Sequence, residues 1–405
     1  LPDAQQRLVH AILRHASPGG PGTGSVPVRT TLGTAPGAES SRLEDIPSTS
    51  GDRVWSTASM HVTIRPLDPS SDAELDQYLS LEKALDEHSY GGSQALTREQ
   101  LRSQVSSSPY WEVRHWVALA EIMEGGSSLV GRAAVFLPLQ ENLETVSVGV
   151  AVHPAVRGRG IATALIEEVL LPAIRESGRS LVEAYAEIPP DGDPDDPSQP
   201  ALRLAQRLGV SRRNLAVCRA LPLPLEDSLL EELEAEAAEK RGDYRVELWD
   251  GEIPEEHLEA YGLLLRQIEL DEPDEEVEHE PAEYTPERIR ESERRMREAG
   301  TVRITAVAVA PDGSFVGNSE VHVHDSPHST VGWQENTLVM PEHRGHRLGL
   351  ALKVATHRQL RERAPQLRSL VTWNSHVNPW MIGINEALGY RIIHRELVLQ
   401  GRPQL

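Results

Sequence analysis

The order of the predicted secondary-structure elements runs through this chain twice, and that repeat is what most constrains its fold. From residue 61 onward, stretches with the two-residue alternation of strands and stretches with the period of helices follow one another. The same order returns roughly 170 residues later, whereas solenoid repeats recur every ~20 to 50 residues. Each copy is long enough to bury its own core. The repeat therefore predicts two duplicated domains.

The predicted elements of the two copies correspond in type and order. In the first copy they are strand 61–67, helices 72–87 and 97–106, strands 112–123, 128–138 and 145–153, helix 158–177, strand 180–187, helix 200–208 and an extended run to 221. In the second copy they are strand 243–249, helices 255–269 and 285–299, strands 301–310, 315–324 and 335–340, helix 345–363, strand 368–373, helix 378–388 and strand 390–399.

Residues 1–59 differ from the rest of the chain, because Gly, Pro, Ser and Thr dominate most of them without a sustained apolar period. Such a segment buries too little apolar surface to offset the entropy of ordering, so we expect a disordered leader. Met60 is the first methionine; translation starting near it and a transit peptide are the alternatives. The predicted domains are 60–221 and 243–405, and a linker helix is expected within 222–242.

Charge and composition exclude several classes of function. The chain carries 40 Lys and Arg against 62 Asp and Glu, which gives a net charge of −22. Because nucleic-acid binding depends on Lys and Arg that contact phosphate, this charge argues against a nucleic-acid partner. A negative protein better suits a cationic or amine-bearing small molecule. Cys218 is the only cysteine, which excludes an internal disulfide framework and is compatible with a reducing compartment. No apolar run approaches the ~20 residues that span a bilayer, so we expect a cytoplasmic protein without a membrane partner.

A glycine-rich turn between a predicted strand and a predicted helix is the strongest local signal. Residues 148–162 run from the strand through Gly158 and Gly160 directly into the helix. Backbone N–H groups and the positive end of the helix dipole then converge on one concave surface, which suits a pyrophosphate. Arg157 and Arg159 add positive charge. The alternative is that the glycines only form a tight turn.

This motif resembles the acyl-CoA pyrophosphate loop of GNAT-type N-acetyltransferases. The sequence Arg157-Gly-Arg-Gly-Ile-Ala162 follows a strand that ends in Val-His-Pro, as that loop does. The second copy aligns on its proline without a gap and keeps Arg344, Gly345 and Gly349, but it has Arg347 at the middle glycine. The C-terminal residues 372–390 resemble the ending of actinobacterial tandem GNAT proteins, the group that includes mycothiol synthase.

The resemblance implies an α/β (α+β) fold with two tandem GNAT domains, each a mixed, mostly antiparallel sheet flanked by helices. It also implies acetyl-CoA as the acyl donor, with its pantetheine between two splayed strands. Some of these expected contact residues could have a purely structural role instead. The strand residues could be ordinary members of the sheet, and Asn374 and Asn378 could cap the helix near 378. The implied cofactor-binding residues are Val150, Ala151, Val152, Arg157, Gly158, Arg159, Gly160, Ile161 and Ala162 in the first copy and Thr337, Leu338, Val339, Arg344, Gly345, His346, Arg347, Leu348, Gly349, Asn374 and Asn378 in the second.

The implied reaction is direct attack of a primary amine on the thioester in a ternary complex, which needs a base. Glu335 is the first candidate, because two-residue alternation puts it on one strand face with Thr337 and Val339. The ungapped alignment puts Val148 at this position in the first copy, so we expect catalysis in the C-terminal domain and a structural or regulatory role for the first. Glu320 is the second candidate. An ordinary surface role for Glu335 is the alternative.

A general acid for the leaving thiolate is harder to identify. Many GNAT enzymes have a tyrosine four residues before a late glycine, and the two copies have Ala205 and Asn385 there. Tyr390 is the remaining candidate, with core packing as its alternative and solvent as the other proton source.

Three histidines, His322, His324 and His328, with Asp325 nearby, raise the question of a metal site, and the first two occupy alternate strand positions. No supporting ligand cluster accompanies them, so no metal is predicted. The expected partner is a small-molecule amine. The competing functions are an acyltransferase that acts on a protein lysine or uses another acyl donor, and a non-catalytic acyl-CoA-binding or scaffold protein. The oligomeric state is not encoded in these motifs.

Overall fold

A computed structural model describes residues 61–121, 126–271 and 276–404. The predicted leader 1–59 lies outside the described residues. The strands are β1 (Val62–Pro66), β2 (Trp111–Glu121), β3 (Ser127–Pro138), β4 (Thr145–Val152), β5 (Leu181–Ile188), β6 (Ser211–Pro222), β7 (Arg245–Asp250), β8 (Thr301–Val309), β9 (Phe315–His324), β10 (Val331–Val339), β11 (Ser369–Ser375) and β12 (Arg391–Gly401).

The helices stand where the sequence predicts them, so the repeated order of elements is confirmed. A helical run in the first copy changes to a π turn over Ile166–Leu170 between α3 and α4. The helices are α1 (Asp72–Tyr90), α2 (Arg98–Gln104), α3 (Ile161–Leu165), α4 (Leu171–Ser177), α5 (Pro200–Leu208), α6 (Asp227–Arg241), α7 (Leu258–Asp271), α8 (Pro286–Glu298), α9 (Leu348–Arg363) and α10 (Pro379–Leu388). None of these described helices is long and apolar enough to cross a membrane.

Local sequence explains where the helices begin and end. The Ser71 side chain accepts from the N–H of Glu74 at the start of α1, and Gly91 ends that helix in the left-handed conformation, with φ 70°. Thr97 and Gln100 form a reciprocal capping box at the start of α2. The segment between the two helices is therefore held at both ends.

The two copies share one sheet of twelve strands because they exchange their last strands. The strand order is β1-β2-β3-β4-β5-β12-β6-β11-β10-β9-β8-β7. Strand β12, from the end of the chain, pairs with β5 of the first copy, and β6 pairs with β11 of the second. Leu397 and Leu399 of β12 consequently belong to the core of the first copy. The domain boundaries remain a prediction, but neither copy has a complete sheet of its own.

Helices cover both faces of the sheet. In the first copy, α3 and α5 pack on one face and α1 on the other. In the second copy, α9 packs on one face and α7 and α8 pack on the other. The mixed, mostly antiparallel sheet flanked by helices is therefore confirmed.

The only parallel pairs in the described sheet, β4/β5 and β10/β11, separate part-way along their length. Residues 145–148 of β4 pair with β5, but 149–152 pair with β3 alone. Similarly, 331–333 of β10 pair with β11, and the rest of β10 does not. We call the resulting gaps the first cleft, between β4 and β5, and the second cleft, between β10 and β11. The glycine-rich loops lie at the wide ends of these clefts.

Candidate active site

The first loop has the geometry of an anion cradle. Gly158 and Gly160 have φ of 77° and 83°, in the left-handed region that glycine adopts without strain. A Cβ added at either position would meet no described heavy atom within 4 Å, so the space in front of the loop is open. Helix α3 starts at Ile161 without a side-chain cap, and its first N–H groups have no partner within the helix. The residues present therefore fit a bound pyrophosphate.

Side-chain contacts of Arg157 hold the first loop against β4 and α1. Arg157 Nε donates to the Val152 carbonyl at 3.1 Å, and its Nη1 lies 3.0 Å from His88 Nε2. Burial lowers the pKa of Arg157 from its ordinary value. Arg159 is exposed, and Ile161 is buried in the core beneath the loop. Arg157 thus connects the loop to the end of β4 rather than standing in solvent.

The first cleft is apolar. Its walls come from Val148 and Val150 on β4, Ala184 and Ala186 on β5, and Ala205 on α5. Val150 and Val152 lie on this face, whereas Ala151 packs on the opposite face against α1. No carboxylate lines this part of the cleft. The cleft therefore suits a thioester arm better than acid–base chemistry.

The second loop keeps the backbone of the first despite its different sequence. Gly345 has φ 88°, and Arg347, at the position of Gly160, has φ 54°. A non-glycine residue in this conformation is strained by roughly 1–2 kcal/mol. Arg347 occupies the N-cap position of α9 without a side-chain hydrogen bond, as Gly160 does at α3. The sequence difference at the middle glycine therefore leaves the shape of the loop unchanged.

The charges of the second loop are already paired within the chain. Arg347 forms an ion pair with Glu236 of α6, and Arg344 with Asp271 of α7. His346 Nδ1 lies 3.2 Å from the Lys240 carbonyl, so the end of α6 packs against the loop. A phosphate binding here would compete with these carboxylates for the guanidinium groups. The other two predicted residues of this loop point into the protein. Leu348 is buried in the core, and Gly349 faces Ile384.

Strand β10 has a β-bulge at the mouth of the second cleft. Gln334 pairs with Val321 and Thr337 with Ser319, which leaves Glu335 and Asn336 opposite one residue of β9. A bulge takes backbone groups out of the ladder and redirects side chains. Strand β4, by contrast, pairs with β3 in one unbroken register. The bulge therefore distinguishes the second cleft from the first.

The prediction that Glu335 shares a face with Thr337 and Val339 is wrong, and the bulge is the physical reason. The hydroxyl of Thr337 lies 3.1 Å from that of Ser319, on the face covered by α9. Glu335 lies 3.9 Å from the ring of His322, whose position on β9 faces α7. The extra residue shifts the alternation, so Glu335 points to the α7 face.

The equivalence of Val148 and Glu335 is wrong for the same reason. Val148 lies in the core on the α3 face, which corresponds to the α9 face of the second copy. Its counterpart there is Gln334, which donates to Ser319 Oγ at 3.1 Å. The position of Glu335 is held by Gly149 in the first copy. The first copy still has no carboxylate at this point.

The two predicted bases lie on either side of one histidine. His322 Nε2 is 3.0 Å from Glu320 Oε2, and its Nδ1 is 3.9 Å from Glu335 Oε1. Glu320 is 1% exposed and accepts a hydrogen bond from the hydroxyl of Tyr261, whose pKa is raised by burial and by this carboxylate. The Glu335 side chain is 14% exposed. Glu335 is thus the more exposed of the two carboxylates, and Glu320 is buried on the other side of His322.

The other predicted residues of the second cleft have separate surroundings. Asn378 caps α10 by accepting from the N–H of Met381 at 3.2 Å. Asn374 is buried and is contacted by Arg219 and Asn385. Thr337, Leu338 and Val339 lie beside the cleft on β10, with Leu338 in the core under α7.

Tyr390 lies in the core under α9. Burial raises the pKa of its hydroxyl well above the ordinary value, and the hydroxyl has no hydrogen-bond partner among the described residues. The aromatic ring packs against leucines of α9 and α6. These surroundings correspond to the core-packing alternative.

The histidines raised as a metal question are dispersed. His322 lies between the two glutamates, His324 Nε2 is 2.8 Å from Gln94 Oε1, and His328 is exposed. Burial lowers the pKa of His324 to about 4. Within the described ranges, no three His, Cys, Asp or Glu residues are arranged to hold a metal ion.

The first cleft and its loop fall within a match to a known family. Residues 90–210 match the model of the Acetyltransferase (GNAT) family. Over these residues the chain is similar to the GNAT acetyltransferases. The predicted recognition and enzyme class are thereby confirmed, whereas the mycothiol-synthase-like grouping stays a prediction. A search of curated proteins finds no significant relative.

Solved structures share the GNAT fold over most of both copies. A tandem GNAT protein from the clavulanic acid biosynthesis pathway superposes with a TM-score of 0.64 at 24% identity, covering 84% of this chain and 98% of that chain. A GCN5-related N-acetyltransferase from Sphaerobacter thermophilus gives 0.55 at 18% identity, covering 85% and 97%. Saccharomyces cerevisiae N-myristoyltransferase with bound myristoyl-CoA gives 0.50 at 11% identity, covering 87% and 80%. The tandem GNAT fold is therefore confirmed.

Two buried side chains near the second cleft, His322 and Lys353, are not indicated by the motifs in the sequence. The sequence pattern of His322 indicates only a metal ligand, and its position between Glu320 and Glu335 depends on the bulge in β10. Lys353 carried no motif at all, yet it is buried behind the second cleft. The sequence does contain one signal for Lys353. The equivalent helix position in the first copy is the apolar Ile166, so a lysine there is unexpected.

Proposed function

We propose that the protein transfers an acetyl group from acetyl-CoA to a primary amine of a small molecule, with the chemistry at Glu335 in the second cleft. The observation that carries this proposal is the bulge in β10. It turns a partly exposed carboxylate to the α7 face at the point where β10 and β11 part, next to His322 and Glu320.

The residues around Glu335 can hold and move a proton. The carboxylate takes a proton from the incoming ammonium, directly or through one water. His322 lies beside it, and the buried Glu320 orients the imidazole, as a carboxylate does when it accepts from the far ring nitrogen. Glu335 and Asn336 have no one-to-one partner on β9, so backbone N–H groups are available to polarise a carbonyl at this point.

Acetyl-CoA supplies the activated thioester when it is bound. In the first copy, Gly158, Gly160 and the start of α3 would hold its pyrophosphate, because the loop is open and its N–H groups converge. The second loop has the same backbone shape and would hold it after Arg344 and Arg347 exchange their carboxylate partners for phosphate. We assign a structural or regulatory role to the first site, since Gly149 replaces the base there.

An amine acceptor is supported by charge. The net charge of −22 produces a negative potential that attracts ammonium groups over long range. Trp333 and Trp373 stack at 5.7 Å on the face of the sheet to which Glu335 points, and the ring of Tyr90 packs edge-on against both. The test is release of CoA thiol across a panel of primary amines, including a lysine peptide, with acetyl-CoA and longer acyl donors.

Glu335→Gln is the decisive variant, because it keeps the shape of the side chain and removes its basicity. We expect kcat/KM to fall by about 10²–10⁴-fold, the usual contribution of a general base. Glu259→Gln, on the exposed surface of α7, is the matched control and should retain the full rate. The full chain is used throughout, because β6 and β12 are exchanged and separated halves lack a strand. An unchanged rate in Glu335→Gln would contradict the assignment of the base.

One observation favours a second candidate function, a non-catalytic acyl-CoA-binding protein. Both arginines of the second loop are paired with carboxylates of this chain, whereas the first loop is open. Such a protein would bind one acyl-CoA per chain and consume no thioester with any amine. Calorimetric stoichiometry and thiol release together separate the two functions.

A further inference from the structure

Lys353 is a buried ammonium group with an unusual set of neighbours. It lies on α9, is 1% exposed, and donates from Nζ to Asn385 Oδ1 at 2.7 Å. The ring of Tyr390 lies 5.3 Å from Nζ. Across the described part of the chain, no carboxylate pairs with this lysine. Buried charges are ordinarily paired, so an unpaired one indicates a role outside packing.

A second cation lies in the same polar cluster. Arg219 of β6 is 4% exposed and donates from Nη1 to Asn374 Oδ1 at 2.6 Å, and Asn385 Nδ2 donates to the same oxygen at 3.3 Å. Lys353, Asn385, Asn374 and Arg219 therefore form one hydrogen-bonded row. The first copy has Ile166 in place of Lys353, so the row exists in the second copy alone.

This row borders the second cleft from the α9 face. The hydroxyl of Thr372 donates to the Gln334 carbonyl at 3.0 Å, where β10 and β11 part. Asn374 lies two residues farther along β11, on the same face and in the parted half of the strand. Glu335 borders the cleft from the opposite face. A thioester in the cleft would therefore have the Glu335 carboxylate on one side and the Asn374 amide on the other, with the Lys353 ammonium group behind that amide through Asn385.

The surroundings of Lys353 make it a weak acid near neutral pH. Burial, with a smaller contribution from the charge of Arg219, lowers the pKa of Lys353 to about 7. The titratable and charged groups that face it are Arg219 on β6, His357 on its own helix, and Tyr390 beyond α10. His357 is neutral, because burial lowers its pKa to about 3. No carboxylate contributes to the lowered pKa of Lys353, and the acidic side chain of Glu386 on α10 interacts with the charge of Arg219.

We infer that Lys353 donates the proton that the leaving thiolate requires when the amine displaces it. The bond between the amine nitrogen and the acyl carbon forms, the carbon–sulfur bond breaks, and its electron pair goes to sulfur. A proton from Nζ converts the thiolate to a thiol. The ammonium substrate loses two protons, one to Glu335 before the attack and one from the nitrogen after it has bonded to the acyl carbon. One of these protons recharges Lys353, and the other leaves to solvent. This inference rests on the proposed function and assigns the acid that the sequence motifs lack.

The experiment measures the ionisation of bound CoA, which does not depend on turnover. CoA is titrated with base in the full-length protein and in Lys353→Met, and thiolate is followed by its ultraviolet absorbance, with desulfo-CoA as the blank. An ammonium group near the thiolate stabilises it, and the thiolate in turn holds the proton on Lys353, so the two groups titrate as a coupled pair. We therefore expect the acid dissociation constant of the bound thiol to be at least tenfold lower in the variant than in wild type. Lys83→Met, in an exposed lysine of α1, should leave it unchanged.

A pH profile of kcat provides the second readout. The wild-type rate should decline above about pH 7 as Lys353 loses its proton, and Lys353→Arg should move this decline beyond the measured range. Lys353→Met should lower kcat about a hundredfold and leave the affinity for acetyl-CoA unchanged. Equal thiol ionisation in wild type and Lys353→Met would overturn the inference. Absence of turnover in wild type would overturn the proposed function alone, because the thiol titration still reports on Lys353.

Discussion

Removing the buried charge of Lys353 should stabilise the protein in a pH-dependent way. The ordinary lysine pKa of 10.5 is lowered to about 7 in the folded state, and each tenfold change in proton affinity corresponds to about 1.4 kcal/mol. Burying the charged form therefore costs about 5 kcal/mol relative to the neutral form. That cost is fully present below about pH 7 and disappears as pH rises toward 10.5, because the unfolded chain holds its proton longer than the folded one.

The variant Lys353→Met keeps the length of the side chain and removes the charge. Its unfolding free energy minus that of wild type should be most positive at about pH 6 and should shrink by about 3 kcal/mol by about pH 9. Urea unfolding followed by tryptophan fluorescence at both pH values measures this difference. Lys83→Met, whose lysine is 65% exposed, is the matched control and should show no such change. A difference that stays constant between the two pH values would refute the buried-charge argument.

Three further changes test the cradle, the second loop and the shared sheet. Gly160→Ala should weaken acyl-CoA binding at the first loop at least tenfold by calorimetry, whereas Gly178→Ala, with the same left-handed strain outside the cradle, should not. Glu236→Gln should tighten binding at the second loop about fivefold at low salt by releasing Arg347, and the effect should vanish at high salt. Leu397→Ala should lower the unfolding free energy by about 2–5 kcal/mol and accelerate hydrogen exchange in β5, because this leucine of the last strand packs in the first copy's core. Unchanged binding in the first two variants, or exchange confined to the second copy in the third, would contradict these assignments.

The local order of the chain could be predicted from the sequence because its causes are local. Alternation and helical period specify each element within a few residues, and the glycines of the first loop are required by backbone angles that a side chain would strain. The repeated order of elements is therefore predicted correctly from the sequence, whereas the cradle residues and the role of Glu335 stay predictions. The acceptor amine is not encoded in any such pattern.

The tertiary structure alone decided three things, and each depends on contacts between distant residues. The exchange of β6 and β12 leaves no signal in the sequence. Each strand could pair with β5 or with β11, so its own residues do not show which copy it joins. The bulge at Glu335 reverses an alternation that looks unbroken in sequence, so the face of this carboxylate depends on one extra residue opposite β9. The position of Lys353 beside Asn385 joins two helices, and burial rather than residue type sets its acidity. Local preferences determined the elements, and long-range packing determined which of their side chains meet in the second cleft.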